Sequence, residues 1–107
     1  MDRKKDIIIK KLTRFKYDVN REFPLQKIIF FGSRAHGKPE KWSDIDLVIV
    51  SSKFRRLNFF KRGAKMYDYW KLDYPVDFLC YTPEEFNKLK KQITIVREAV
   101  EKGIEIK

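Results

Sequence analysis

The sequence predicts an α/β (α+β) domain, a small mixed β-sheet with helices packed on one or both faces. Three observations predict it. The segments Lys27–Phe31, Asp44–Val50 and Val76–Tyr81 are short, nearly continuous runs of apolar residues rich in β-branched and aromatic side chains, the pattern of buried strands. Around them, apolar residues recur every three or four positions, the period of amphipathic helices. A chain of 107 residues, 43% hydrophobic and 15% aromatic, suffices for one core, and a single domain over 1–107 is expected.

Taken in order, Ile8, Leu12, Phe15 and Val19 mark a first helix from Asp2 to about Glu22, stopped before Pro24. The first strand, Lys27–Phe31, ends at Gly32. Gly32 to Ser43 carries two Gly, one Pro and several polar residues, so it reads as a loop with one short helical turn after Ser33. In the second strand, Asp44–Val50, the first four residues alternate and the rest are apolar, as in a central strand whose leading end reaches solvent. Leu57, Phe60, Ala64, Tyr67 and Trp70 predict one helix between Ser52 and Tyr74, interrupted only by Gly63. Pro75 introduces the third strand. Thr82 caps a helix that opens with Pro83 and runs to about Lys90. A last helix, Ile93 to Glu101, ends at Gly103 and leaves Ile104–Ile106 as a short edge strand.

The 25 Lys and Arg against 15 Asp and Glu give a formal charge of +10, which favours polyanionic partners but also suits solvated helix faces. Cys80 has no second cysteine to pair with, so no disulfide framework exists; it reads as a packing residue in a reducing, cytoplasmic setting. The apolar run Ile7-Ile8-Ile9 is far too short for a signal core or a membrane span.

The chemistry concentrates at one place. Asp44 and Asp46, at i and i+2 of a strand, project from one face about 7 Å apart along it. Asp77 interrupts the apolar run of the next strand, where an unpaired buried charge is costly. If the strands align, the three carboxylates gather around hard divalent cations, and a pair of such ions can clamp the attacking and leaving oxygens of a phosphoryl displacement. Asp73, before Pro75, is the weaker third candidate. Gly32 follows a buried strand directly, where a missing side chain lets backbone approach a phosphate, and Ser33 adds a hydroxyl. Gly32 to Lys38 also fits the first seven positions of a P-loop, but Pro39 stands where the metal-binding hydroxyl belongs, and no long helix can follow before the next strand.

Gly32-Ser33, ten intervening residues, Asp44-Ile45-Asp46 and then Asp77 together resemble the signature of the DNA polymerase β-like nucleotidyltransferase superfamily. With Pro75-Val76-Asp77-Phe78 leading into Thr82-Pro83-Glu84-Glu85-Phe86, the chain is similar over nearly its whole length to the minimal nucleotidyltransferases. The resemblance implies the nucleotidyltransferase fold and transfer of a nucleoside monophosphate, AMP from ATP or the equivalent from another triphosphate, to a hydroxyl. It implies that Gly32, Ser33 and Arg34 bind the nucleotide, with Ser33 on the terminal phosphates. Asp44 and Asp46 would ligate two Mg²⁺ ions, with Mn²⁺ the alternative, and Asp77 the ion that activates the acceptor. It further implies a HEPN-type toxin partner for which this chain is the antitoxin, in some cases by adding AMP to a toxin tyrosine.

Two other readings stay open: a non-catalytic antitoxin acting by contact, and a nucleic-acid binder drawn by the +10 charge. An oligomer is compatible with either. His36 reads as an ordinary loop histidine. Arg34, Lys38 and Lys41 could steer a triphosphate or be solvated. Trp42 reads as packing beneath the loop, with stacking on a base as the alternative. Lys53, Arg55, Arg56, Lys61 and Arg62 read as a solvated helix face, with a surface for phosphate or RNA as the alternative.

Overall fold

The computed structural model describes residues 3–107; the expected helix start at Asp2 lies outside the described residues. The order is α1 (Arg3–Asn20), β1 (Lys27–Phe31), α2 (Ser33–His36), β2 (Ile45–Val50), a 3₁₀ turn (Ser52–Arg56), α3 (Phe59–Tyr67), β3 (Val76–Tyr81), α4 (Pro83–Leu89), α5 (Ile95–Lys102) and β4 (Ile104–Glu105). The strands form one mixed sheet in the order β3-β2-β1-β4. β1 is antiparallel to β2 and β4, whereas β2 and β3 are parallel and joined by the 3₁₀ turn and α3. Among the described residues no helix is long and apolar enough to cross a membrane.

Strand alternation divides the apolar residues between two layers. Ile28 and Phe30, Ile45, Leu47 and Ile49, and Phe78 and Cys80 face the larger core, where the predicted stripe of α1, Ile8, Leu12, Phe15 and Val19, seals them from water. Ile29, Phe31, Val48 and Val50 face the opposite way and are covered by Phe86 of α4 and by Val96 and Ala99 of α5. Burying both faces is what makes β1 and β2 read as unbroken apolar runs. Cys80 packs in the larger core, and burial pushes its thiol up to about 12 despite the nearby Arg62, so it is a packing group and not a nucleophile. The capping box at α4 is as expected: Thr82 Oγ1 accepts from the Glu85 amide at 3.2 Å, and the Thr82 amide donates to Glu85 Oε1 at 2.8 Å.

The segment 52–74 departs from the single helix expected. Ser51 accepts from the Lys53 amide, and Asn58 accepts from the Lys61 amide at 2.9 Å, so two caps compete and the extended Leu57-Asn58 link breaks the run into a 3₁₀ turn and α3. The buried face of α3 also differs. Phe60 is 86% exposed, while Met66 and Arg62 turn inward. Arg62 is 8% exposed; its guanidinium donates to the carbonyls of Phe54, Leu57 and Cys80 and to Glu85 Oε1, the last at 2.7 Å. It therefore ties the 3₁₀ turn, β3 and α4 together, and the solvated-face reading fails for this member of the basic run. Burial would raise the Glu85 carboxyl, but hydrogen bonds from Arg62 and the Thr82 amide outweigh it and hold Glu85 below the ordinary range. The same helix protects the outer edge of β3. Tyr67 donates its hydroxyl to the Val76 carbonyl at 2.9 Å and Arg62 takes that of Cys80, leaving fewer free acceptors for a foreign strand. The last helix starts at Ile95, not Ile93, because Thr94 caps it by accepting from the Arg97 amide.

Candidate active site

The site forms where β1 ends and β2 begins. In the observed register Phe31 pairs with Asp46, and Asp46 with Asp77, so the two aspartates sit side by side on neighbouring strands. Asp44 lies just before β2, two residues from Asp46, and not within the strand as expected. The strand's first ladder bond is donated by Ile45, whose amide reaches the Pro75 carbonyl at 2.9 Å. Asp46 and Asp77 share the face that α4 and α5 cover, at the end where that cover stops, and the charge of Asp44 acts on Asp46; Asp44 and Asp77 are exposed and Asp46 is half-buried.

Their electrostatics fit a cation. Desolvation, and then the charges of Asp77 and Asp44, raise Asp46 from an ordinary 3.8 to about 6. Among the described residues no Lys or Arg forms an ion pair with any of the three. Their oxygens do not yet converge: no group of three or more metal-type side chains among the described residues is close enough to enclose one ion. Hard oxygen donors on one surface are the donor set for Mg²⁺ or Mn²⁺.

Gly32 is fixed by this geometry twice over. Its φ of 82° and ψ of −168° belong to a region only glycine enters comfortably, and a Cβ there would overlap Asp46 Oδ2. Backbone thus lies directly against the central carboxylate. The turn of α2 then opens without a side-chain cap; its closing bonds run from Ala35 and His36 to the Gly32 carbonyl, and among the described residues the amides of Ser33 and Arg34 have no backbone acceptor. Ala35 anchors the turn in the larger core. A phosphate seated at Gly32-Ser33 would be within one residue's reach of the Asp46 carboxylate.

Arg34 sits at the site with Nε and Nη2 engaged by the loop that follows. Nε donates to the Ser43 carbonyl at 2.7 Å and Nη2 to the carbonyls of Glu40 and Lys41 at 3.2 and 3.1 Å, while the guanidinium lies 4.9 Å from the Tyr74 ring centre. Its role in this arrangement is to hold the loop that delivers Asp44, a role that spacing alone did not reveal. Trp42 is 75% exposed, so the expectation that it packs beneath the loop is overturned. His36 and Lys38 are exposed on the same loop. A groove of about 880 Å³ lined by Phe23, Lys53, Arg55, Arg56 and Lys65 lies at the far end of the sheet, beyond Val50, and shares none of these residues.

Comparison with known proteins agrees with the geometry. Residues 12–102 match the nucleotidyltransferase domain family. The chain belongs to that family. It is 35% identical over 79 residues to the "Probable protein adenylyltransferase MntA" of Haemophilus influenzae, covering 70% of this chain and 68% of that one. It also superposes with a TM-score of 0.63 and 26% identity on the crystal structure of a protein assigned as a nucleotidyltransferase from Sulfolobus solfataricus, covering 78% of this chain and 75% of that one. The fold and the enzyme class expected from the Gly-Ser and Asp-x-Asp spacing are therefore those of this nucleotidyltransferase.

Proposed function

We propose that this nucleotidyltransferase moves AMP from ATP to a hydroxyl on a protein partner, with Asp44, Asp46 and Asp77 holding two Mg²⁺ ions and Gly32-Ser33 holding the terminal phosphates. The observation that carries the reading is the register that sets Asp46 beside Asp77 with Gly32 against the Asp46 carboxylate. When bound, the ions lower the charge of the triphosphate and stabilise the attacking and leaving oxygens. The chain's own groups do the positioning. The Ser33 hydroxyl and the first amides of α2 donate to the β- and γ-phosphates, presenting the α-phosphorus to Asp44 and Asp46. The acceptor oxygen then forms a bond to the α-phosphorus, the bond to the pyrophosphate oxygen breaks, pyrophosphate leaves, and the acceptor's proton passes to solvent or to a carboxylate. The Asp77 side chain is exposed on β3, so an acceptor carried by another molecule can reach it.

The acceptor comes from another molecule, because the carboxylates sit on an open surface that does not exclude water by itself. The relative named as a protein adenylyltransferase supports a protein as that acceptor, and resemblance to the minimal nucleotidyltransferases supports a HEPN-type toxin, inactivated by the modification. The test pairs calorimetric titration of a non-hydrolysable ATP analogue plus Mg²⁺ with intact-mass analysis of the partner after incubation with ATP. Wild type should bind the analogue and add one AMP to the partner, and the double change Asp44→Asn, Asp46→Asn should do neither. Transfer that survives the double change would refute the mechanism; nucleotide binding without transfer to the partner would leave an antitoxin that acts by contact.

A further inference from the structure

The geometry points to Trp42 as the stacking platform for the nucleobase of the bound nucleotide, presented by a turn that Arg34 staples from behind. This deepens the proposed function and rests on it.

Lys41 and Trp42 are the central residues of a turn closed on both sides. The Ser43 amide donates to the Glu40 carbonyl at 3.1 Å, and the Glu40 amide donates to Ser43 Oγ at 2.8 Å. From beneath, the Arg34 guanidinium binds the carbonyls of Glu40, Lys41 and Ser43, those flanking Trp42, and is itself stacked over Tyr74. A turn with its carbonyls held by one guanidinium has little freedom left, yet the side chain it presents is 75% exposed. No ring contact or cation over the Trp42 indole is found among the described residues. The turn therefore holds in place a large apolar surface that the fold itself does not use, and such a pre-ordered aromatic binds a flat ligand at low entropic cost.

The position selects the ligand. The loop from Gly32 to Asp44 begins at the phosphate grip and returns to the first carboxylate, with Gly32 against Asp46, so the Trp42 turn stands beside a nucleotide held there. Trp42 stands two residues before Asp44, a backbone span of at most about 7 Å, within reach of that nucleotide's own base. It is the sole Phe, Tyr or Trp in this loop. Stacking on a π-face accepts every base, so the platform adds affinity for a nucleoside and discriminates weakly between bases.

The test titrates a non-hydrolysable ATP analogue and inorganic tripolyphosphate, each with Mg²⁺, into wild type, Trp42→Phe and Trp42→Ala. Circular dichroism checks that each variant is folded. Trp42→Ala should lose about 5- to 100-fold in affinity for the analogue and keep its affinity for tripolyphosphate, and Trp42→Phe should retain most of the binding. Tryptophan fluorescence should be quenched by the analogue, not by tripolyphosphate, and the quench should vanish in Trp42→Phe, in which Trp70 remains. Equal analogue affinity in wild type and Trp42→Ala would overturn the inference alone; if partner modification fell in that variant, Trp42 would belong to the acceptor's surface. Equal loss of analogue and tripolyphosphate would reduce Trp42 to a support of the loop. Wild type that bound neither probe would overturn the proposed function together with it.

Discussion

Asp46→Asn removes one charge from a cluster that has no cation of its own among the described residues, and the outcome for stability should be the reverse of that for activity. Desolvation and the charges of Asp77 and Asp44 raise Asp46 from 3.8 to about 6, which at about 1.4 kcal/mol per tenfold change in proton affinity is a ceiling of about 3 kcal/mol. Asp46 is only half-buried, so solvent screening reduces the realised penalty to about 1 kcal/mol. The sign follows from the raised value: the folded state binds the proton more tightly than the unfolded chain. The ionised carboxylate therefore costs stability progressively as pH rises from 3.8 through about 6, and fully above that. In chelator, at a pH well above 6, the Asn variant should melt about 4–8 °C higher than wild type, and the gap should close near pH 4. Adding Mg²⁺ should reverse the order, because binding to the native state stabilises wild type by mass action and leaves the variant unmoved. Thermal denaturation followed by circular dichroism at the two pH values, with and without Mg²⁺, makes the comparison. A variant less stable than wild type in chelator at high pH would refute the like-charge argument. A wild type indifferent to Mg²⁺ would refute the assignment of the cluster to metal.

Gly32→Ala should lower stability by about 1–3 kcal/mol through its backbone conformation and displace the Asp46 carboxylate, so urea denaturation should show the loss and calorimetry the disappearance of nucleotide binding; normal binding would contradict the close approach. Arg62→Met should cost about 3 kcal/mol in urea denaturation, since it strips a donor from three carbonyls and the partner from Glu85. The Glu85 share of that loss should be present above its ordinary 4.5 and fade as pH falls below it, and a total loss under about 1 kcal/mol would contradict the role given to Arg62.

The sequence was most legible where one face of an element is apolar and the other is not. The α1 stripe, the three long strands and the Thr82 cap each follow from a local pattern, and each is found where that pattern puts it, within a residue or two. Segment 52–74 is not one helix although Leu57, Phe60, Ala64, Tyr67 and Trp70 keep helical spacing: Leu57 and Trp70 pack partly buried on the larger core, whereas Phe60 is left exposed. The competing caps Ser51 and Asn58 broke the helix, and a buried cation, Arg62, took the inward face. Periodicity counts apolar residues and is blind to an arginine whose donors satisfy carbonyls from three other segments. The Ser-Asn signals were in the sequence and could have located the break; nothing local could have identified the partners of Arg62.

The sequence by itself determined the chemistry available: a glycine and serine directly after a buried strand, two aspartates two residues apart at the head of the next, and a lone aspartate in the third. Strand alternation is a local property, so it predicts that Asp44 and Asp46 share a face; Asp44 in fact lies one residue before β2, and its charge still acts on Asp46. Only the tertiary structure decided that Asp77 stands beside Asp46, because the pairing of β2 with β3 runs through a crossover of 25 residues between Val50 and Val76 whose register no local pattern sets. It also decided that Arg34 grips the loop and that Trp42 faces outward. Those outcomes depend on which carbonyls and rings lie nearby after folding, a matter of long-range packing that side-chain type does not encode.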